Sequence, residues 1–186
     1  KIDKEGKKLH LIDQGLGMTA EEVEKYINQV AFSGAEEFVK QYEGKDGAES
    51  IIGHFGLGFY SAFMVADTVD IITKSYTDAP AVKWSCDGSP SYTLEDAEKA
   101  ERGTDIILHI NEENKEYLEK IRVQTLLDKY CKFLPVPIQF GTTDQTNTVG
   151  EGEDAKDETI QVPNIINNTN PAWTRQPSEL KDEDYQ

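Results

Sequence analysis

At 186 residues the chain holds enough material for one sizeable hydrophobic core, or for one domain and the start of a second. Hydrophobic residues make up 37% and charged residues 29%, and 35 acidic against 19 basic side chains leave a formal net charge of -16, a field that repels phosphate backbones and anionic membranes and argues against nucleic-acid or membrane binding. No apolar run approaches the length of a membrane span, and the only cysteines, Cys86 and Cys131, are far apart and lack metal-ligand spacing, so a cytoplasmic protein with two reduced thiols is expected.

The chain opens without an initiator Met, and residues 1–8 read as a strand and turn feeding a strand over 9–12. This start is expected to be a cut end of something longer. Thr19 begins a helix: Thr19 and Glu22 form a capping-box pattern, Met18 and Val23 are placed as its hydrophobic staple, and Val23, Tyr26, Ile27, Val30 and Ala31 recur at helical spacing. Ser33-Gly34 interrupts the stripe, 36–41 resumes as a short helix, and 43–50 is a loop rich in Gly and charge. Residues 59–66 form an apolar, helix-compatible run.

Strands are predicted over 69–73, 81–86, 91–94 and 106–110, with Asp87-Gly88 as a hairpin turn. A second long helix is predicted over 118–132, with Leu118, Ile121, Leu127 and Tyr130 as core contacts. Phe133-Leu134-Pro135-Val136-Pro137 ends it and feeds a strand over 136–140. Residues 141–158 carry almost no large apolar side chain and read as a flexible linker, and 159–186 are too short to form a core alone. Asn167-Asn168-Thr169 matches a glycosylation pattern, a short match that arises by chance. Strands and helices mix without strict βαβ alternation, which favours an α+β layer over a doubly wound sheet.

Two glycine clusters carry the chemistry. Asp13 stands at a strand end with Gly15 and Gly17 following and Met18 next. A carboxylate only accepts hydrogen bonds, so it suits the exocyclic amino group of adenine, while glycines let the backbone approach a flat base and Met18 packs on it. An ordinary Asp-x-Gly turn is the plain alternative. Gly53, Gly56 and Gly58 form G-x-x-G-x-G before the apolar run, an arrangement of free N–H groups suited to phosphate oxygens. A glycine-rich turn with no ligand explains that cluster equally well.

Together and in this order, Asp13-x-Gly15-x-Gly17-Met18-Thr19 and Ile52-Gly53-His54-Phe55-Gly56-Leu57-Gly58-Phe59-Tyr60-Ser61-Ala62-Phe63 closely resemble the heat-shock-ninety chaperone family. Residues 102–110 and 129–138 fit it further on, as does Asn170-Pro171-Ala172-Trp173-Thr174-Arg175 with Pro177 and Asp182-Glu183-Asp184-Tyr185. The resemblance implies an α+β two-layer sandwich in which a mixed, mostly antiparallel sheet is covered by helices on one face. This is the Bergerat or histidine-kinase-like ATPase fold, shared with gyrase B and MutL, here incomplete. It divides the chain into a partial N-terminal ATP-binding domain (1–140), a flexible linker (141–158) and the start of a middle domain (159–186).

The ligand implied is ATP or ADP, with Mg2+ in the intact protein. Asp13 would hold the adenine amino group, with Gly15 beside it, Gly17 and Thr104 completing the polar network, and Met18 lining the base. Ser33 and Gly34 would begin a mobile lid, and Gly53, His54, Phe55, Gly56, Leu57, Gly58 and Phe59 would wrap the phosphates. Unfolded or partly folded client proteins and a homodimer are the implied partners. Phe32, Ala35, Tyr26 and His54 depart from the family's usual residues, while His10 and His109 alternate along strands and read as structural. The family's catalytic Glu and Mg-coordinating Asn have no matching positions, so no catalytic residue is assigned, and the piece is expected to hold most of the adenine and phosphate contacts without appreciable turnover of ATP. A gyrase- or MutL-like ATPase acting on DNA, disfavoured by the charge, and a nucleotide-free interaction module are the rival readings.

Overall fold

Val69, Ile71 and Thr73 alternate with Asp70, Ile72 and Lys74, and this period of two sends one set to the core and the other to the opposite side of a central strand. The computed structural model describes residues 1–28, 57–149, 156–176 and 178. They fall in two compact units, Lys1–Lys120 and Ile121–Gln186, dividing ahead of the composition change at Gly141.

The first unit contains β1 (Ile2–Asp3), β2 (Lys8–Asp13), α1 (Ala20–Tyr26), a 3-10 helix (Gly58–Met64), β3 (Ala66–Lys74), β4 (Ala81–Cys86), β5 (Tyr92–Ala97), β6 (Gly103–Ile110) and a second 3-10 helix (Glu112–Leu118). The strands form one sheet in the order β1-β2-β6-β3-β4-β5, and each of these neighbours pairs antiparallel. The α+β architecture expected from the sequence is present, and the predicted strands agree with β2 to β6 to within a few residues. The run over 59–66 folds as a 3-10 helix, and Ala66 already belongs to β3.

One sheet face carries the core. Val69, Ile71, Trp84, Leu108 and Ile110 pack with Val23 of α1 and Leu118, and Phe59, Ala62 and Phe63 of the 3-10 helix join them. The capping box forms as the sequence indicates. Thr19 N–H donates to Glu22 Oε2 at 2.8 Å and Glu22 N–H to Thr19 Oγ1 at 3.3 Å. A side-chain cap of this kind stabilises a helix by about 1 kcal/mol, which matters for a helix of seven residues. Met18 packs against the core cluster beside Val23, in keeping with the staple.

The other face mixes the buried Ile107 with polar and charged side chains. Asp70 is buried there at 7% exposure. It accepts from Ser85 Oγ at 2.6 Å, meets His109 Nε2 at 3.0 Å, and lies 3.6 Å from Lys83 Nζ. His10 Nδ1 lies 3.4 Å from Asp105 on the same face. His109 therefore serves the buried Asp70 and His10 the half-buried Asp105, in line with a structural role.

The second unit begins one residue into α2 (Lys120–Tyr130), which is followed by β7 (Gln139–Val149) and β8 (Lys156–Ile165), paired antiparallel. Two expectations are corrected here. Ile121 is 83% exposed and Tyr130 66% exposed, so neither is a core contact. Val123 is the buried residue of α2, and two positions along a helix place Ile121 on the opposite side. The polar stretch expected to run as an irregular linker instead enters β7 and β8 at its two ends. Thr142, Thr143 and Thr146 give β7 β-branched residues that favour the extended, paired backbone while staying exposed, and Phe140 at its start is buried.

Asn167 is also decided by structure. It is buried at 9% exposure, its Oδ1 accepts Ile138 N–H at 2.7 Å, and its Nδ2 donates to the Leu134 and Val136 carbonyls at 2.8 Å each. That amide holds the 134–138 turn and does not present a glycosylation acceptor. Cys86 and Cys131 are both free thiols.

Burial by itself would raise the Asp70 carboxyl, but hydrogen bonds from Ser85 and His109 and the positive charge of Lys83 outweigh it and hold the group below the usual carboxylate range. A depressed folded-state value stabilises the fold above the unfolded value of about 4 and is lost as pH falls through the folded value. Asp70→Asn should therefore cost roughly 1–3 kcal/mol at pH 7, with the deficit shrinking in acid. Urea melts of wild type and variant at pH 7 and in acid, below the ordinary carboxylate range, check this; a deficit independent of pH contradicts it.

Candidate functional site

The antiparallel register sets Asp13 opposite Thr104 on β6, and Thr104 opposite Thr73 on β3. Directly paired residues point to the same face. Asp13, Thr104 and Thr73 therefore form one polar row across three adjacent strands, on the face that carries the core. The row runs from water to the interior: Asp13 is exposed, Thr104 is 7% exposed and Thr73 is fully buried. Thr73 Oγ1 lies 3.1 Å from Thr104 Oγ1 and donates to the Gly103 carbonyl at 3.3 Å.

The segment after Asp13 is strapped to this row. Asp13 Oδ1 accepts the Gly15 N–H at 2.8 Å, closing a side-chain turn. Tyr76 N–H donates to the Leu16 carbonyl at 2.7 Å, and Met18 N–H donates to Thr73 Oγ1 at 3.0 Å. Between those bonds Gly17 takes φ +63°, in the left-handed region, and a Cβ on it would run into the Lys74 carbonyl. Gly103 has φ +118°, and a Cβ there would strike the Asp13 carbonyl. Two glycines thus let β2, β6 and the end of β3 approach closely around Asp13. Asp13 Oδ2 has no hydrogen-bond partner among the described residues and is exposed. The row therefore offers a carboxylate oxygen and a threonine hydroxyl side by side, next to bare backbone and the half-buried Met18.

Of the second glycine cluster the structure describes only the end. Leu57 and Gly58 are exposed, and Leu57 caps the 3-10 helix without a side-chain bond. The Phe59 ring turns into the core, edge-on to Trp84 at 5.7 Å and to Phe63 at 6.1 Å. Tyr60 O–H donates to the Ile27 carbonyl at 2.6 Å, and Trp84 Nε1–H donates to Asn28 Oδ1 at 2.9 Å. The first bond ties the end of α1 to the 3-10 helix and the second ties Asn28 to β4, and burial pushes the Tyr60 phenol up, away from ionisation. Phe32, Ser33, Gly34, Ala35, Gly53, His54, Phe55 and Gly56 lie outside the described residues.

Among the described residues no group of three or more His, Cys, Asp or Glu side chains could hold a metal ion. Sequence reasoning overlooked Thr73. Its signal was a polar residue at a core-facing position of β3, in step with Val69 and Ile71.

Residues 1–119 match a family described as the histidine kinase-, DNA gyrase B- and HSP90-like ATPase. Among curated relatives, chaperone protein HtpG of Porphyromonas gingivalis is 58% identical over 185 residues, covering 99% of this chain and 26% of that protein. The HtpG of Bacteroides thetaiotaomicron is 61% identical over 174 residues, covering 93% of this chain and 24% of its own length. That of Bacillus subtilis is 42% identical over 189 residues, covering 99% and 30%. The chain spans roughly a quarter to a third of the length of these relatives.

The two tight glycines should be intolerant and the open one tolerant. Gly17→Ala and Gly103→Ala each add a left-handed strain and a backbone clash, and should cost at least about 2 kcal/mol. Gly58, where an added Cβ meets nothing within 4 Å, should accept Ala within about 0.5 kcal/mol. Denaturant melts of the three variants check the ranking, and equal costs at 17 and 58 contradict it.

Proposed function

This chain belongs to the family of histidine kinase-, DNA gyrase B- and HSP90-like ATPases, and on that footing we propose that its first unit binds ATP or ADP as part of a molecular chaperone. The observation that carries the reading is Asp13 Oδ2, exposed and without a partner among the described residues at the outer end of a hydrogen-bonded row, beside a segment whose glycines keep the backbone bare. The carboxylate accepts the exocyclic amino group of adenine, Gly15 and Gly17 leave room for the flat ring, Met18 packs on it, and Thr104 completes the polar edge. Ser33 and Gly34 begin the lid. The phosphates are assigned to Gly53, His54, Phe55, Gly56, Leu57, Gly58 and Phe59, with backbone N–H groups as the donors. Mg2+ travels with the phosphates in this reading and is assigned no ligand among the described side chains.

The names of the similar proteins support a chaperone over a DNA-acting ATPase, and so does the net charge of -16, which disfavours a polyanion. In the proposed setting the protein acts in the cytoplasm on unfolded or partly folded clients and works as a homodimer. Residues 159–186 would begin its next domain. No described helix is long and apolar enough to cross a membrane.

Calorimetric titration with ATP should show saturable binding to the full chain. Asp13→Asn keeps the shape but replaces one acceptor oxygen by a donor amide, and should weaken binding by about 10- to 100-fold, the scale of a lost charged hydrogen bond. Unchanged affinity in the variant would remove Asp13 from the site.

A further inference from the structure

We propose that Thr73 is the positioning residue that makes this site selective for a base bearing an amino group, by fixing both the Met18 backbone and the hydrogen-bond polarity of Thr104. The inference rests on the nucleotide reading above and adds a residue to it. Thr73 is fully buried, and its Oγ1 meets Met18 N–H at 3.0 Å, Thr104 Oγ1 at 3.1 Å and the Gly103 carbonyl at 3.3 Å. A hydroxyl has one proton and two acceptor sites. With its proton on the Gly103 carbonyl, its two lone pairs take the Met18 N–H and the Thr104 O–H. All three capacities are then used, which a fully buried hydroxyl requires.

That assignment has a consequence one strand away. Thr104 has given its only proton inward to Thr73, so its lone pairs alone face outward. Beside it Asp13 Oδ2, also an acceptor, has no partner among the described residues. The outward edge of the row is thus acceptor next to acceptor. It matches an amino group, directly or through a water that donates twice, and it repels a carbonyl at the same position. The Met18 bond does the second half of the work. Together with the Tyr76 N–H to Leu16 carbonyl bond at 2.7 Å, it presses the 14–18 segment onto the end of β3. A position that only had to fill the core would hold Val or Ile, as its in-step neighbours Val69 and Ile71 do.

The test uses the full chain with Thr73→Val, which keeps the shape and removes the hydroxyl, and Thr73→Ser, which keeps the hydroxyl. Calorimetry is run with ATP and with inosine triphosphate, which carries a carbonyl where ATP carries the amino group. Thr73→Val should weaken ATP binding about tenfold and leave inosine triphosphate little changed, so the preference falls about tenfold, while Thr73→Ser stays within about twofold of wild type. Exchange of the Met18 amide, followed by NMR without nucleotide, should quicken at least about tenfold in the Val variant and not in the Ser variant. ATP binding unaltered in Thr73→Val, or both nucleotides weakened alike, overturns the selectivity. An unaltered Met18 exchange rate overturns the positioning of the backbone. If wild type binds neither nucleotide, the nucleotide reading itself fails, and the selectivity assigned to Thr73 falls with it.

Discussion

A buried hydroxyl on β3, satisfied from three directions, is the contact on which the candidate site depends. Thr73 receives the Met18 amide, meets Thr104 and reaches the Gly103 carbonyl. It thereby ties a segment between β2 and α1 to the two central strands of the sheet. The antiparallel register makes this possible by stacking Asp13, Thr104 and Thr73 in one row. A slip of one residue in either pairing would send one strand's member to the opposite face and break the row. The polar site is thus an outcome of the same pairing that buries Val69, Ile71 and Leu108.

The two faces of the sheet solve different problems. The core face uses apolar burial, with α1, the 3-10 helix and Leu118 supplying the cover. The other face buries Asp70 opposite the buried Ile107, and holds its charge by pairing it with Ser85, His109 and Lys83. A buried charge without partners would cost several kcal/mol; here hydrogen bonds and opposite charge exceed the desolvation, and the carboxyl stays ionised. Exposed pairs such as Lys4 with Glu119 and Lys7 with Glu112 contribute little by comparison.

The aromatic cluster links the two glycine clusters mechanically. Phe59 and Trp84 meet edge to face within the core, Tyr60 bonds the Ile27 carbonyl, and Trp84 bonds Asn28. The end of α1 and the start of the 3-10 helix are therefore fixed against the same sheet as Asp13. In the proposed function this holds the adenine end and the last residues of the phosphate end on one rigid platform.

Much of this was written in the sequence. The Thr19–Glu22 capping box, the period-two strands and the Asp87-Gly88 turn depend on neighbours a few residues apart, so local chemistry determines them. The paired glycine motifs likewise singled out Asp13 and Gly17, and the family resemblance they carry pointed to Thr104. Other features needed the folded chain. Nothing local says that Thr73 receives Met18 across 55 residues of sequence, or that Asn167 folds its amide onto the 134–138 turn. Composition also misread the Thr-rich stretch after Phe140, because a solvated hairpin and a linker have the same polarity and differ only in whether a partner strand arrives. Sequence determined which groups the chain has and which short-range structures they favour. Tertiary structure alone decided which distant groups share a row, because hydrogen bonds between strands depend on register, a property of two segments at once.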